Sequence, residues 1–326
     1  MKALVFEDIE TLALRDWPDP TPAEGEHLIR IEAVGICGSD MHAYLGHDAR
    51  RPAPLILGHE AAGTIQGGAR DGERVTINPL VTCGACHACA SGRENICPNR
   101  QIISMPPREG AFAQFVTMPA QNLVTVPDHV PLSQAALAEP LAVSWHAVRL
   151  ALARLGDWPA PRALVLGGGA IGLAAALALK AMGVKDVTVA EPNDARRAYL
   201  SEVCALPCVA APQGSFPVVI DAVGFGTTRA TASSLVAPGG VIAHVGLGQD
   251  EGGLDIRRMT LQEITFLGCY TYTAQDFRDT AQAIFDGRLG PLDWAETRPL
   301  GQGAAAFADL RGGRVAAPKL ILDPWA

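Results

Sequence analysis

RALVLGGGAIGLAAALALKAMGVKDVTVAE, residues 162–191, decides how this chain is read. Residues 163–166 are a short apolar run of strand type that ends in Gly167-Gly168-Gly169. Residues 170–182 are rich in Ala and Leu, the composition of a helix buried on most of its faces. A second apolar strand follows at 187–190, with Glu191 at its end. Strand, glycine turn, helix, strand and acid make a βαβ unit carrying G-x-G-x-x-G at Gly167, Gly169 and Gly172. Gly167 permits the tight turn, Gly169 lets backbone approach a pyrophosphate, and Gly172 allows close packing of helix on strand. The helix N-terminus, opening at Ala170 and Ile171, then offers free N–H groups to phosphate oxygens. Glu191 stands 19 residues beyond Gly172, near the spacing of an acid that accepts hydrogen bonds from an adenosine ribose. Its charge would repel a 2′-phosphate and favours NAD over NADP, a preference that Arg196 and Arg197 weaken. A membrane span is the competing reading of the uncharged run 163–179, but three glycines and a length below about 20 residues oppose it.

Outward from this unit the chain has room for two cores in 326 residues. Hydrophobic residues make up 48% and charged residues 18%, so the chain is globular rather than disordered. A net charge of −8 gives nucleic acid no electrostatic help. Acids interrupt the N-terminal MKALVFEDIE before any long apolar segment, so no signal peptide is expected and a cytoplasmic location is. In that compartment eight cysteines are thiols, better read as metal ligands than as disulfides.

The first half is expected to be mostly β. Strands are predicted over 2–6 and 28–34, separated by a turn rich in proline, and again over 110–116 and 123–126. Between them lie Cys37-Gly38-Ser39-Asp40-Met41-His42 and Gly58-His59-Glu60. A thiol, an imidazole and a carboxylate can form a catalytic zinc site with one open position, although on spacing alone the same residues are as readily packing residues. Cys83, Cys86, Cys89 and Cys97 give C-x2-C-x2-C-x7-C, a spacing that closes a tetrahedral structural zinc site. A lobe with so little apolar content would draw its folding energy from the metal. Iron–sulfur spacings differ from this one, and His87 inside the loop reads as a bystander.

A helix is predicted from 133, containing Ala138-Glu139-Pro140-Leu141. Beyond the βαβ unit come a helix over 194–203 and strands over 218–221, 240–245 and 265–268. The first two of these strands deliver Val223 and Gly246 to the cofactor side of the sheet. A helix over 274–285 and a strand over 319–322 finish the chain. Strands alternating with helices in this way make a doubly wound parallel sheet. Cys204, Cys208 and Cys269 read as core.

With C-G-S-D-x-H, G-H-E-x-x-G, the four-Cys lobe, E-P-L and G-x-G-x-x-G in that order, nearly the whole chain resembles the zinc-containing medium-chain dehydrogenases. It looks closest to the sorbitol, butanediol and related polyol or secondary-alcohol members. The resemblance implies an α/β protein: a GroES-like mostly-β catalytic domain interrupted by a Rossmann doubly wound parallel-sheet domain. The division it implies is 1–143 with the lobe at 83–97, then 144–269, then a C-terminal return at 270–326. It implies two Zn2+ ions, one catalytic and one structural, with NAD as cofactor and NADP the lesser alternative. Cys37 and His59 match ligands of the catalytic ion, and Glu60 and Glu139 match carboxylates that ligate it directly or through water. Ser39 matches the hydroxyl that touches the substrate alcohol, and His42 the outer end of the proton path. The substrate would be a small alcohol or polyol, with no nucleic-acid or membrane partner, and the assembly a homodimer or homotetramer. Three departures stand out. The segment 64–75 is shorter than usual for the family before Gly72-Glu73-Arg74-Val75, and between Cys204 and Val218 the chain lacks a helix that the family normally has. It also reads Thr271-Tyr272 where polyol dehydrogenases often read Arg-Tyr, which counts against a polyhydroxylated or phosphorylated substrate. A zinc ribbon binding nucleic acid or protein, a zinc-free reductase and a non-catalytic relative are the rival classes. The acidic charge, the cysteine sets and the pair Ser39 and His42 oppose them in turn.

Overall fold

In the computed structural model, which describes Met1–Ala326, the quoted stretch forms strand Arg162–Leu166, helix Ala170–Ala181 and strand Asp186–Ala190. The helix ends where Gly183 takes φ 91° and Val184 N–H donates to the Leu179 carbonyl at 2.9 Å, a left-handed C-terminal cap that glycine allows without steric cost. These strands lie inside a six-stranded parallel sheet. Its order is Cys208–Val209, Asp186–Ala190, Arg162–Leu166, Phe216–Asp221, Val236–His244, Thr265–Gly268, the 3-2-1-4-5-6 arrangement of a doubly wound fold. Its strands are apolar without alternation because both faces are covered. Helices Ala138–Leu155 and Ala170–Ala181 pack on one face, and Gly226–Leu235 and Ile256–Leu261 on the other.

The third and fourth strands of this sheet are joined without a helix. Residues 210–215 must cross about three strand spacings of ~4.8 Å while descending about five residues of rise, a diagonal of roughly 22 Å. Seven Cα steps reach at most about 25 Å, so the link runs nearly taut across the sheet.

The N-terminal half forms a seven-stranded sheet in which Glu26–Gly35 pairs with Glu60–Gln66, with Phe115–Pro119 and with Lys319–Asp323. Lys319–Asp323 thus carries the end of the chain back to the first sheet, with Ala295–Pro299 parallel beside it. A second apolar core of this half gathers Leu4, Ile29, Ile31, Ile56, Phe112 and Phe307. No helix is long and apolar enough to cross a membrane.

Several elements differ from the sequence expectation. The strand predicted over 110–116 lies at Phe115–Pro119 instead. Upstream of it the backbone pairs irregularly, Gly110 N–H donating to the Ile56 carbonyl, Ala111 N–H to that of Gly58 and Phe112 N–H to that of Leu57. The proline-rich stretch is preceded by an unpredicted strand, Thr11–Asp16, the second arm of a hairpin with Lys2–Asp8. Helix Gly226–Leu235 also escaped notice, because Thr, Ser and Gly are poor helix formers. It is anchored instead by Arg229, which donates to the carbonyls of Gly224, Gln249, Glu251 and Gly252. Cys204, Cys208 and Cys269 are only partly buried, packed against the rim of the core rather than within it.

Candidate active site

Strand register assembles the first cluster. Gly35 pairs with Glu60, so the chain leaving one strand toward Cys37 runs beside the chain entering the next through His59. A Cβ on Gly35 would lie 2.1 Å from Glu60 Oε2, so only glycine leaves room for that carboxylate. Cys37 is the N-cap of helix Gly38–Tyr44, and Asp40 at its third position accepts from Cys37 N–H at 3.0 Å. Asp40, fully buried, also accepts from Gly58 N–H at 3.1 Å and lies 3.4 Å from His59 Nδ1. Ser104 Oγ is 3.5 Å from the same nitrogen. One side of the imidazole is therefore occupied by orienting partners, leaving Nε2 for another ligand. Ligand atoms of Cys37, His59 and Glu60 all lie within 4.8 Å of one another. Burial alone would depress His59, but the Asp40 carboxylate and Cys37 thiol raise its pKa well above the ordinary value. A divalent cation there would take over the role of that proton.

The two carboxylates differ. Lys319 Nζ sits 2.7 Å from both oxygens of Glu60 and 3.0 Å from the Ile36 carbonyl, and is itself buried. Glu139, in the first turn of helix Ala138–Leu155, falls outside the 4.8 Å cluster. It accepts one hydrogen bond, from Tyr272 Oη at 2.8 Å on Oε1. Burial, reinforced by the nearby Glu60 charge and opposed by that of His59, pushes Glu139 up to about 7. Ser39 and His42 stand three apart on helix Gly38–Tyr44 and so share a face, Ser39 half-buried and His42 exposed.

The four-Cys lobe is closed. Sγ–Sγ distances are 3.5 Å for Cys86–Cys89, 3.5 Å for Cys83–Cys97 and 3.9 Å for Cys83–Cys89. These are too long for disulfides and match the edge of a tetrahedron, about 3.8 Å, expected for Zn–S bonds of ~2.3 Å. Backbone N–H groups of Ala85 and Cys86 lower the Cys83 thiol to about 6, favouring the thiolate a metal needs.

The glycine turn fits a pyrophosphate by the same kind of test. A Cβ on Gly169 would meet nothing within 4 Å, whereas one on Gly172 would strike the Gly167 carbonyl oxygen at 1.8 Å. Open space lies at the phosphate position, and contact lies under the helix. Gly167, at φ 93°, faces Val223, and the Val223 turn in turn meets Gly246, whose Cβ would come within 2.1 Å of the Val223 carbonyl carbon. Glu191 is buried and accepts from Gly168 N–H at 2.9 Å and Asn193 N–H at 2.8 Å, with Arg196 Nη1 3.5 Å away. It therefore braces the turn from within. Ser144 Oγ donates to the Ile171 carbonyl at 2.8 Å, tying helix Ala138–Leu155, which carries Glu139, to the helix that begins at the turn.

Lys319 and Ser104 were not legible as site residues in the sequence, and Tyr272 stands out there only beside Thr271, not as the partner of Glu139. Lys319 leaves one signal, a charge directly before the apolar run Leu320-Ile321-Leu322. Tyr272 and Ser104 come from loops whose placement only the fold supplies.

A GroES-like sheet carrying a Cys–His–carboxylate cluster, a closed four-thiol lobe and a dinucleotide-type sheet define a zinc-binding dehydrogenase. Residues 23–128 match the family described as alcohol dehydrogenase GroES-like domain, and residues 170–286 that described as zinc-binding dehydrogenase. The chain is 32% identical over 308 residues to L-galactonate-5-dehydrogenase of Escherichia coli K12, covering 89% of this chain and 88% of that one. It is 33% identical to sorbitol dehydrogenase of Bacillus subtilis, covering 83% of this chain and 82% of the other. Its fold is similar to that of a protein of E. coli CFT073, described as a short chain alcohol dehydrogenase and crystallised with NADH. That match has a TM-score of 0.89 and 26% identity over 99% of both chains. The chain belongs to the zinc-containing medium-chain alcohol and polyol dehydrogenase family, oxidoreductases that use a nicotinamide dinucleotide.

Proposed function

We propose that this enzyme exchanges hydride between NAD and a secondary alcohol or polyol, such as a diol or sugar alcohol. In this reading Cys37, His59 and Glu139 hold the catalytic zinc and Ser39 handles the substrate proton. The observation that carries the reading is the Ser144–Ile171 bond, which fixes the helix bearing Glu139 to the helix of the glycine turn. A zinc ion held there would supply Lewis-acid polarisation of a hydroxyl oxygen, and NAD, when bound, a hydride acceptor.

The chain's own groups do the rest. Asp40 and Ser104 orient His59, and Tyr272 orients Glu139 while leaving Oε2 without a protein hydrogen bond. Glu60 is read as a buried counter-charge rather than an inner ligand, because Lys319 engages both its oxygens. Ser39, half-buried, would accept the alcohol proton while passing its own hydroxyl proton on, by way of the nicotinamide ribose, toward exposed His42 on the same helix face, which would release it to water. Gly167, Gly169, Ala170 and Ile171 would cradle the pyrophosphate, and Gly172 lets the helix pack close beneath them. Glu191, with Arg196 beside it, is read as the acid on the adenosine-ribose side of the turn, and Val223 and Gly246 as residues lining the way to the nicotinamide. Cys83, Cys86, Cys89 and Cys97 hold the structural zinc.

The domains divide at 1–143, 144–269 and 270–326, supported by the return of Ala295–Pro299 and Lys319–Asp323 to the first sheet. The protein is read as cytoplasmic, with all eight cysteines free. It is also read as a homodimer or homotetramer. Leu247, Ile256 and Leu261, which are 80%, 63% and 70% exposed, would supply apolar surface to such an assembly.

The test is a spectrophotometric screen of diols, sugar alcohols and simple secondary alcohols with NAD and NADP, before and after chelation, on material sized by sedimentation. NAD-linked, chelator-sensitive turnover by an assembly of two or four chains is expected. Turnover indifferent to chelation would overturn the reading.

A further inference from the structure

The crossing from strand Thr265–Gly268 to helix Ala274–Phe285 carries Tyr272, the partner of Glu139. Its backbone is strained. Thr271, a β-branched residue, takes φ 46°, and its Oγ1 is buried without a partner. Such a conformation persists only where the flanks are pinned. On the helix side, Thr273 Oγ1 donates to Asp276 at 2.7 Å, and Asp276 is gripped by His146 at 2.7 Å and Arg149 at 2.6 Å from helix Ala138–Leu155, which carries Glu139.

The remaining pins come from the four-Cys lobe. Asn95, only 5% exposed, donates from Nδ2 to the Tyr270 carbonyl at 2.8 Å. Glu94 Oε1 accepts from Ala274 N–H at 2.6 Å, and the Arg100 guanidinium lies 4.9 Å from the Tyr270 ring centre. Glu94 and Asn95 sit in a single turn, Glu94–Ile96, that runs directly into Cys97. Closing the thiol cluster therefore sets both residues.

We propose that the four-Cys lobe, besides completing its own fold, pins the 269–273 crossing through Asn95 and Glu94 and thereby fixes Tyr272 against Glu139. Asn95 and Glu94 are positioning residues, acting on the site through Tyr272. This rests on the reading above that Glu139 belongs to the active site.

The test combines amide hydrogen exchange with kinetics on full-length, zinc-replete Asn95→Ala and Glu94→Ala. Glu94→Gln keeps an acceptor oxygen and serves as the conservative variant. Exchange at 270–274 is expected to quicken roughly tenfold or more, and kcat/KM for the alcohol to fall by about as much at unchanged zinc content. The KM for NAD should stay within about twofold, and Glu94→Gln should behave as the parent. In a Tyr272→Phe background, Asn95→Ala should add no further loss. Parent-like exchange in both alanine variants, or additive losses in the double variant, would overturn the proposal. If Asn95→Ala loses zinc, Glu94→Ala decides. A parent chain inactive on every alcohol would refute the proposed function instead, and the exchange arm alone would then decide whether the pin exists.

Discussion

Cys37→Ser is expected to lower kcat/KM for alcohol oxidation by roughly 10³-fold or more, with unchanged NAD binding. Cys37 has two roles that separate cleanly. Its backbone N–H satisfies Asp40, and its carbonyl opens helix Gly38–Tyr44 by accepting from Asp40 N–H and Met41 N–H. Serine preserves all of this, so the helix and the Asp40–His59 contact should survive. The thiol is what changes. A hydroxyl is a far poorer zinc ligand than a thiolate at neutral pH, and losing the Lewis acid removes several kcal/mol of transition-state stabilisation. Each ~1.4 kcal/mol is tenfold in rate, which sets the scale of the loss. Steady-state kinetics with metal analysis checks it. The zinc content should fall from two ions per chain to one, because the four-Cys lobe is untouched.

Lys319→Met is expected to destabilise the fold by about 3–5 kcal/mol, the range for stranding one partner of a buried ion pair. The strand places Lys319 opposite Cys37, since Ile321 pairs with Gly35. There the ammonium is fully enclosed, and Glu60 is 1% exposed. Removing the cation leaves a carboxylate whose oxygens both lose their only partner. Glu60→Gln in the same chain should recover much of the loss, because it removes the uncompensated charge. Urea unfolding of the single and double variants measures this. A loss below about 1 kcal/mol for Lys319→Met would mean that the pair is screened, as surface pairs are.

How much of this was legible beforehand depended on whether a role is local in the chain. The glycine turn, its helix and Glu191 are contiguous, so one βαβ pattern revealed them, and the four cysteines fall within 15 residues. The helix 274–285 was read to the residue because its capping residue Thr273 and its apolar spacing both speak locally. Glu60 and Lys319, 259 residues apart, meet only through strand pairing, so nothing local announces the pair. Glu191 shows the same limit from the other side. Its spacing pointed to a ribose, but only the fold reveals that both its oxygens already brace backbone N–H groups. The expected 110–116 strand begins late, at Phe115, because G-A-F-A-Q-F-V is apolar enough to read as a strand throughout, while the irregular bonds of its first half are made to residues 56–58, more than 50 positions away.

The most direct measurement is the zinc anomalous signal from crystals grown with NAD. Two peaks per chain are predicted, one at the centre of Cys83, Cys86, Cys89 and Cys97. The other should lie within bonding distance of Cys37 Sγ and His59 Nε2, with the nicotinamide ring facing it. An empty Cys37–His59 position in zinc-replete, active crystals would contradict the account.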